Sequence, residues 1–257
     1  MSIATEITRI QQAKADIKTA IEAKGVTVPS SATIDTYDDY VSQISGGGGG
    51  GDTTTLAKLI DRSITSIEIP SGVTTIGIYA FYSCTSLTSI LIPSSVTSIG
   101  VSAFNDCSSL TSIDIPNSIT SIGNSAFYSC TSLTSILIPS GVTSIGGAAF
   151  YGCSSLTSCT IGSGVTSIGN NAFYNCSGLT SIIIPSGVTS IGASAFNRCL
   201  GLTSVRIEAT TPPTLRQNGF ENTNNCPIYV PPAAVQTYKT ASGWSTYASR
   251  IQAMPNS

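Results

Sequence analysis

The chain has 257 residues, of which 41% are hydrophobic and only 9% are charged, and its formal net charge is −2. So few charges create no long-range field that attracts polyanions, and no run of about 18 apolar residues is present, so we expect neither nucleic-acid binding nor membrane insertion. Histidine is absent, which excludes Ser-His-Asp and Cys-His catalysis and histidine metal sites, so we expect no enzyme, no metal and no cofactor.

The first 45 residues predict a small α-helical segment. Apolar residues recur at three- and four-residue steps over 3–24, and a second short helix is expected over 34–44. Two helices of this size cannot form an independent core, so their apolar faces indicate docking or self-association, with a trimeric homo-oligomer favoured. The residues expected to drive this assembly are Ile7, Ile10, Ile17, Ile21, Tyr37 and Tyr40.

Two further features of the N-terminal part bear on function. Charged residues occupy the positions where a secretory signal would have its apolar core, so no Sec signal peptide is expected. Residues 46–52 contain six consecutive glycines, which match a dinucleotide-binding glycine pattern only trivially. We interpret residues 46–52 as a flexible linker.

From residue 61 to 198 one unit of 23 residues is repeated six times. Repeat 1 begins at Asp61, and repeat 7, which is irregular, begins at Cys199; the intervening repeats begin at Cys84, Cys107, Cys130, Cys153 and Cys176. A period of roughly 20 to 29 residues is typical of a leucine-rich-repeat-like solenoid. We therefore predict a repeat solenoid over 53–222, mainly β with short helical turns, whose N-terminal cap spans 53–63.

Most columns of the array are expected to be structural. In repeat 2, Ile90 and Ile92 alternate as in a short strand, residues 96–99 predict a second strand, and the segment before each cysteine predicts a helical or 3₁₀ turn. Gly100 and its equivalents fit a positive-φ corner or a close backbone approach. Cysteines in one column of stacked strands lie about 4.8 Å apart with parallel side chains, so we expect buried free thiols.

Two columns vary between repeats and are candidates for partner binding, because the core does not require them to vary. The first, which we call the variable column, points outward between the two strand isoleucines and comprises Glu68, Leu91, Asp114, Leu137, Thr160, Ile183 and Arg206. The second, the tyrosine row, comprises Tyr82, Tyr128, Tyr151 and Tyr174. Its rings either stack on sugar or apolar groups of a partner or simply cover the edge of the turn.

Residues 223–257 are expected to cap the array, because an open solenoid edge would pair with another copy. Phe220 takes the position of the array phenylalanine one residue late. Residues 227–230 predict a closing strand and 232–252 a helix, with Trp244 in the core of the cap.

The unit C-x-x-L-T-S-I-x-I-P-x-x-V-T-S-I-G-x-x-A-F-x-x resembles the BspA-type leucine-rich repeat over residues 61 to about 222. This family, also found in Treponema surface proteins, contains surface or secreted adhesion proteins, so the resemblance implies binding without chemistry. The stretch AKADIKTAIEAKGVTVPSSATIDTYDDYVSQI resembles the N-terminal segment of structural proteins from tailed gut phages. That resemblance implies attachment to other virion subunits through residues 1–45.

Together these features predict a component of a phage virion, such as a tail fibre or receptor-binding protein, located on the virion or another extracellular surface. Its partner is then a host cell-surface protein or glycan. Two alternatives stay open: a structural decoration of the virion that has no specific receptor, and a bacterial cell-surface adhesin.

Overall fold

In a computed structural model, which describes residues 62–255, the repeats form a stack of parallel strands that confirms the predicted solenoid. The predicted helices over 3–24 and 34–44, the glycine linker, the six assembly residues and positions 53–61 of the predicted cap lie outside the described residues. No helix among residues 62–255 is both long enough and apolar enough to span a membrane.

One side of the solenoid is a ladder of longer parallel strands, which we call the long-strand ladder. Equivalent residues of successive repeats pair directly, as in Ile67 with Ile90 and Ile182 with Val205. Repeat 3 has no strand here, although the Thr111 N–H still donates to the Thr88 carbonyl at 3.4 Å. The strands are β1 (Ser66–Glu68), β3 (Ser89–Leu91), β6 (Ser135–Ile138), β8 (Ser158–Ile161), β10 (Ser181–Ile184), β12 (Ser204–Ile207), β14 (Ile228–Val230) and β15 (Ile251–Ala253).

A second face consists of one seven-stranded parallel sheet of two-residue strands, which we call the short-strand sheet. The sequence predicted strands over 96–99 and equivalents, but in repeat 2 only Ser98–Ile99 is a strand and Val96 precedes it. The register changes at the last pair, where Ser190 pairs with Thr214 instead of the residue 23 positions later. The strands are β2 (Thr75–Ile76), β4 (Ser98–Ile99), β5 (Ser121–Ile122), β7 (Ser144–Ile145), β9 (Ser167–Ile168), β11 (Ser190–Ile191) and β13 (Thr214–Leu215).

The core is a set of continuous columns in which each repeat covers the apolar side chains of its neighbour. Phe104, for example, is fully buried and stacks on Phe127 with ring centroids 5.2 Å apart and planes 7° apart. The phenylalanine column runs unbroken from Phe81 to Phe220 at 5.1 to 5.2 Å per step. Such stacking makes the stability of each repeat depend mainly on its two neighbours.

The segment before each cysteine differs from the predicted helical or 3₁₀ turn. In repeat 2, the N–H groups of Ala103 and Asn105 bond to carbonyls three residues earlier, as in a 3₁₀ turn, but the N–H of Phe104 bonds instead to Ala126 of the next repeat. Positive φ angles of 53° at Ser102 and 59° at Asp106 interrupt any helix. The chain here is therefore a series of tight turns that also hydrogen-bonds across repeats.

Close packing between repeats explains the glycine column. A Cβ placed on Gly100 would lie 2.8 Å from the carbonyl carbon of Gly77, and one on Gly146 would lie 2.5 Å from that of Gly123. Neither glycine has a left-handed φ, so close backbone approach is the reason for glycine and a positive-φ corner is not.

The C-terminal part differs most from prediction. The predicted helix over 232–252 is limited to α1 (Val235–Thr240), flanked by 3₁₀ turns at Pro232–Ala234 and Ser245–Tyr247, and residues 251–253 form strand β15. The closing strand predicted over 227–230 is present as β14, and β15 pairs with it in parallel, so the long-strand ladder continues past residue 222. The end of the predicted helix is instead strand β15, which covers the edge of β14.

Trp244 ends the phenylalanine column, as predicted for a residue of the cap core. Its indole is fully buried, lies 5.8 Å from the Phe220 ring, and donates from Nε1 to the Pro213 carbonyl at 2.7 Å. The Arg250 guanidinium closes the same end by donating to the Phe220 and Cys226 carbonyls and to the Thr223 hydroxyl.

Candidate binding surface

The variable column lies on the outer face of the long-strand ladder. Successive residues of a strand point to opposite faces of the sheet. The core residues on either side of each variable residue therefore point inward, and the variable residue points to solvent. Leu91, Leu137 and Ile183 are 50% to 57% exposed, although their neighbours Ile90, Ile136 and Ile182 are buried. All seven predicted members of the column are exposed.

The column alternates regularly between polar and apolar residues. Even-numbered repeats present Leu91, Leu137 and Ile183, whereas odd-numbered repeats present the polar members of the column. With about 4.8 Å between strands, the exposed aliphatic side chains recur about every 9.6 Å. The polar members are Glu68, Asp114, Thr160 and Arg206.

The structure adds two residues to this column that sequence reasoning missed. Arg206 pairs with Tyr229, and Tyr229 pairs with Gln252, because β14 and β15 extend the ladder. The sequence held a usable signal, because Tyr229 and Gln252 follow Arg206 at the same spacing of 23 residues and Tyr229 stands between Ile228 and Val230 as the other members stand between core residues. The extra residue before Thr214 and the late Phe220 concealed this spacing.

The serine and threonine columns beside the variable column have the same residue in every repeat. A column of serines, exemplified by Ser135, lies two residues before it on the same face of each strand. The next column contains threonines whose hydroxyls donate to the main-chain carbonyl of the preceding repeat, as Thr157 does to Thr134 at 3.0 Å. Because these hydroxyl donors are already used within the solenoid, the variable column is where this face can distinguish one partner from another.

The tyrosine row is brought together, but its ring faces are largely occupied. Tyr128 and Tyr151 stack with centroids 4.6 Å apart and planes 6° apart, and Tyr151 and Tyr174 follow at 4.8 Å and 9°. Burial, with the neighbouring Tyr151 hydroxyl, raises the pKa of Tyr128. The row therefore offers a partner its ring edges and hydroxyls, together with the outer ring faces at the two ends of the stack.

Tyr82 lies apart from this stack, since Asn105 takes the position between it and Tyr128. The ring of Tyr82 contacts Tyr79 edge-on with centroids 5.5 Å apart, and the Arg62 guanidinium lies 5.8 Å above it. The row is thus two separate clusters: one at the start of the described chain and one along repeats 3 to 5.

All eight cysteines are buried free thiols, and the six that lie 23 residues apart in one column are so as their spacing predicted. Each thiol from Cys107 to Cys199 in the repeat column donates to the carbonyl of the phenylalanine 26 residues earlier, at 3.0 Å for Cys107 and 3.1 Å for Cys130. Burial raises the pKa of Cys84 to about 11 and that of Cys199 to about 12. Cys84 and Cys199 are therefore protonated at neutral pH.

Charged groups are sparse on the described surface. The guanidinium of Arg206 lies 3.7 Å from the carboxylate of Glu208, and both side chains are about half exposed. Within residues 62–255, no cluster of three or more His, Cys, Asp or Glu side chains has the geometry of a metal site. The described surface is therefore suited to contact binding through shape, aliphatic groups and a few charges.

Comparison with known proteins agrees with this architecture. A family model for the BspA type leucine rich repeat region matches residues 60–179 and 143–242, so the chain belongs to the BspA-type leucine-rich repeat family. A search of curated proteins found no match.

Three solved structures show the similarity. A leucine rich cell surface protein from Faecalibacterium prausnitzii A2-165 is 32% identical over 67% of this chain and 56% of its own, with a TM-score of 0.53. A leucine-rich repeat protein from Bacteroides ovatus is 30% identical over 66% of this chain and 56% of its own (TM-score 0.41). The leucine rich repeat protein of T. pallidum is 26% identical over 65% and 69% (TM-score 0.45). The chain thus spans little more than half the length of the first two proteins.

Proposed function

We propose that this chain is a non-enzymatic binding protein that displays its solenoid on a surface and attaches through the variable column to a protein or glycan of a host cell. The observation that carries the proposal is the contrast between columns. The core, serine and threonine columns are nearly invariant among seven repeats, while the exposed variable column changes charge, size and polarity at almost every step. The similarity to a cell surface protein of F. prausnitzii supports display at a surface.

The surface that carries the solenoid is proposed to be a phage particle. Support comes from the resemblance of residues 1–45 to the N-terminal segment of phage structural proteins, with Ile7, Ile10, Ile17, Ile21, Tyr37 and Tyr40 as the contacts to other virion subunits or to sister copies. A bacterial cell surface is the second candidate, favoured by the F. prausnitzii relative. Immunogold electron microscopy with antibody to the full chain separates them, since gold would decorate either particles or cell envelopes.

Attachment is tested with the fluorescently labelled full chain and intact host cells. Replacing Leu91, Leu137 and Ile183 together by serine removes the exposed aliphatic groups and leaves the buried faces of the strands unchanged. We expect this variant to lose at least tenfold in apparent affinity, about 1.4 kcal/mol, because full burial of even one Leu or Ile side chain against a partner contributes about 1.5–3 kcal/mol.

The matched control replaces three serines of the short-strand sheet, Ser98, Ser121 and Ser144, by alanine. Those side chains lie on a different face and are part of strands of the same solenoid. Equal binding by both triple variants would refute the assignment of the variable column. Failure of the unaltered chain to bind cells to which whole particles attach would favour a decoration that has no receptor.

A further inference from the structure

The variable column has a symmetry that identifies a partner for the long-strand ladder. Read from repeat 1 to repeat 7, it presents Glu, Leu, Asp, Leu, Thr, Ile and Arg. Read in the opposite direction, Arg206 falls opposite Glu68, Ile183 opposite Leu91, and Leu137 opposite itself. Every position of the column from Glu68 to Arg206 thus meets a side chain of complementary chemistry when two columns are laid against each other antiparallel, and Tyr229 and Gln252 lie beyond the paired positions.

We propose that two copies of the chain pair face to face through the long-strand ladder, in antiparallel orientation, about a two-fold axis that is parallel to the strands and passes through Leu137. A two-fold interface is self-complementary, so a contact of one residue with another always occurs twice. Here the repeated contacts are the Glu68–Arg206 ion pair and the Leu91–Ile183 aliphatic pair, with Leu137 against Leu137 at the centre.

The remaining contact is also complementary. Asp114 of one copy meets Thr160 of the other, so a carboxylate acceptor faces a hydroxyl donor. Arg206 lies near Glu208 within its own copy, and its guanidinium, with five N–H donors, can serve both carboxylates. Glu208 itself falls opposite Pro70, which carries no charge.

Charge excludes the other way of placing the same two faces together. If the columns ran parallel, each repeat would face its own equivalent, so Glu68 would meet Glu68, Asp114 would meet Asp114 and Arg206 would meet Arg206. Like charges opposite each other destabilise such a contact. In the antiparallel pair, Glu68 and Arg206 attract each other instead of repelling their own equivalents. Asp114 faces the Thr160 hydroxyl instead of a second carboxylate.

Small side chains surround the variable column. Serines flank it on one side, and on the other side prolines and a glycine do so up to repeat 6, where Glu208 follows in repeat 7. Stacked sheets pack about 10 Å apart, which leaves room for two opposed leucine side chains at the axis.

The surface area buried between two copies predicts weak association. Six steps of about 4.8 Å give a length of about 29 Å, and six residues from the threonine to the proline column give a width of about 20 Å. The two copies together would bury about 1,200 Å², the lower limit for a specific interface. We therefore expect association to rise with concentration and to be strongest where many copies are displayed together.

Orientation gives this pair a use. The described chain enters the solenoid at residue 62 in repeat 1, so the two entry points lie at opposite ends of an antiparallel pair. Copies carried on two facing surfaces can therefore join them, whereas neighbours projecting the same way from one surface are poorly placed to pair. This adhesive use rests on the proposed function, whereas the pairing itself does not. A host ligand that binds the variable column would compete with the second copy.

Thiol cross-linking of the full chain tests the geometry, because all eight native cysteines are buried. The variants Leu137→Cys, Leu91→Cys and Ile183→Cys are treated with a short bifunctional maleimide, and Ser121→Cys on the short-strand sheet is the control. Leu137→Cys should link to itself roughly tenfold or more faster than the control, because pairing raises the effective thiol concentration.

The other two variants distinguish the two orientations. Leu91→Cys and Ile183→Cys should each fail to link alone and should link when mixed. Self-linking of Leu91→Cys as fast as that of Leu137→Cys would show parallel columns and overturn the proposal, as would rates equal to the Ser121→Cys control throughout. No host cell is present, so failure here leaves the proposed attachment to cells untouched.

Charge reversal provides an independent measurement by sedimentation equilibrium. Glu68→Arg alone and Arg206→Glu alone should each weaken pairing several-fold, since each places like charges opposite each other twice. An equimolar mixture of the two variants, or the double variant, should regain the original association constant. Equal association of all four samples would refute the ion pair, and any assembly through residues 1–45 would be the same in all of them.

Discussion

Replacing Gly146 by alanine tests whether close packing between repeats holds the solenoid together. The new Cβ would lie 2.5 Å from the Gly123 carbonyl carbon and 2.6 Å from the Asn124 nitrogen, where ordinary contact begins at 3.4 Å. The repeats would have to separate locally by 3.4 − 2.5 = 0.9 Å. Both contacting atoms belong to the backbone, so no side chain can move aside.

The separation has a calculable consequence. The Gly146 N–H bonds to the Ile122 carbonyl at 3.2 Å, and an added 0.9 Å would lengthen this bond beyond any useful distance. Overpacking lowers the free energy of unfolding by about 1–3 kcal/mol, and a lost hydrogen bond lowers it by about 0.5–1.5 kcal/mol. Alanine also restricts the unfolded chain more than glycine does, which raises the free energy of unfolding by about 0.4–1 kcal/mol. The free energy of unfolding should therefore fall by about 2 kcal/mol.

Two positions provide controls. A Cβ on Gly77, in repeat 1, would meet nothing within 4 Å, and one on Gly147 would meet its nearest atoms at 3.5 Å. Both alanine variants should match the unaltered chain or exceed it by about 0.4–1 kcal/mol. Urea unfolding followed by circular dichroism measures all three midpoints. If Gly146→Ala unfolds at the same urea concentration as Gly77→Ala, the close-approach explanation of the column is wrong.

Two further predictions concern the core and the cap. Burial raises the pKa of Cys84 from 9.0 to about 11, so above pH 9 this thiol ionises in the unfolded chain before it ionises in the folded one. The unfolded state then holds fewer protons than the folded state. The contribution of Cys84 to the free energy of unfolding should therefore fall between pH 9 and 11 and stay constant below pH 8. A flat profile in pH-dependent urea unfolding would contradict this. Trp244→Ala should cost about 3–5 kcal/mol by removing a fully buried ring, while Trp244→Phe should cost about 1–3 by leaving the Pro213 carbonyl without its donor. Equal melting temperatures for the two variants would show that the hydrogen bond and not the ring carries the effect.

The repeat made much of this fold predictable. A period of 23 residues requires equivalent residues to stack, so the buried columns, the free thiols and the outward direction of Leu91 and Leu137 all follow from position within the unit. The sequence left two explanations for Gly100, a positive-φ corner and a close backbone approach. Only the distance to the Gly77 backbone decided between them.

Local pattern misled in two segments whose hydrogen-bond partners lie in other repeats. Residues 232–252 have the apolar spacing of a helix, but only Val235–Thr240 is α-helical, because Ile251 is needed as the next strand of the ladder beside Ile228. The segment from 101 to 106 was likewise predicted as helical, although every second N–H bonds to the following repeat. A partner 22 residues away cannot be read from a local pattern.

The sequence by itself thus determined the solenoid, its core and the seven members of the variable column in repeats 1 to 7, because a strict repeat turns position in the chain into position in space. Only the tertiary structure decided that Tyr128, Tyr151 and Tyr174 use their ring faces on one another, and that strands carrying Tyr229 and Gln252 continue the ladder. Those outcomes depend on distances and pairing between repeats, which the pattern of any single repeat does not contain.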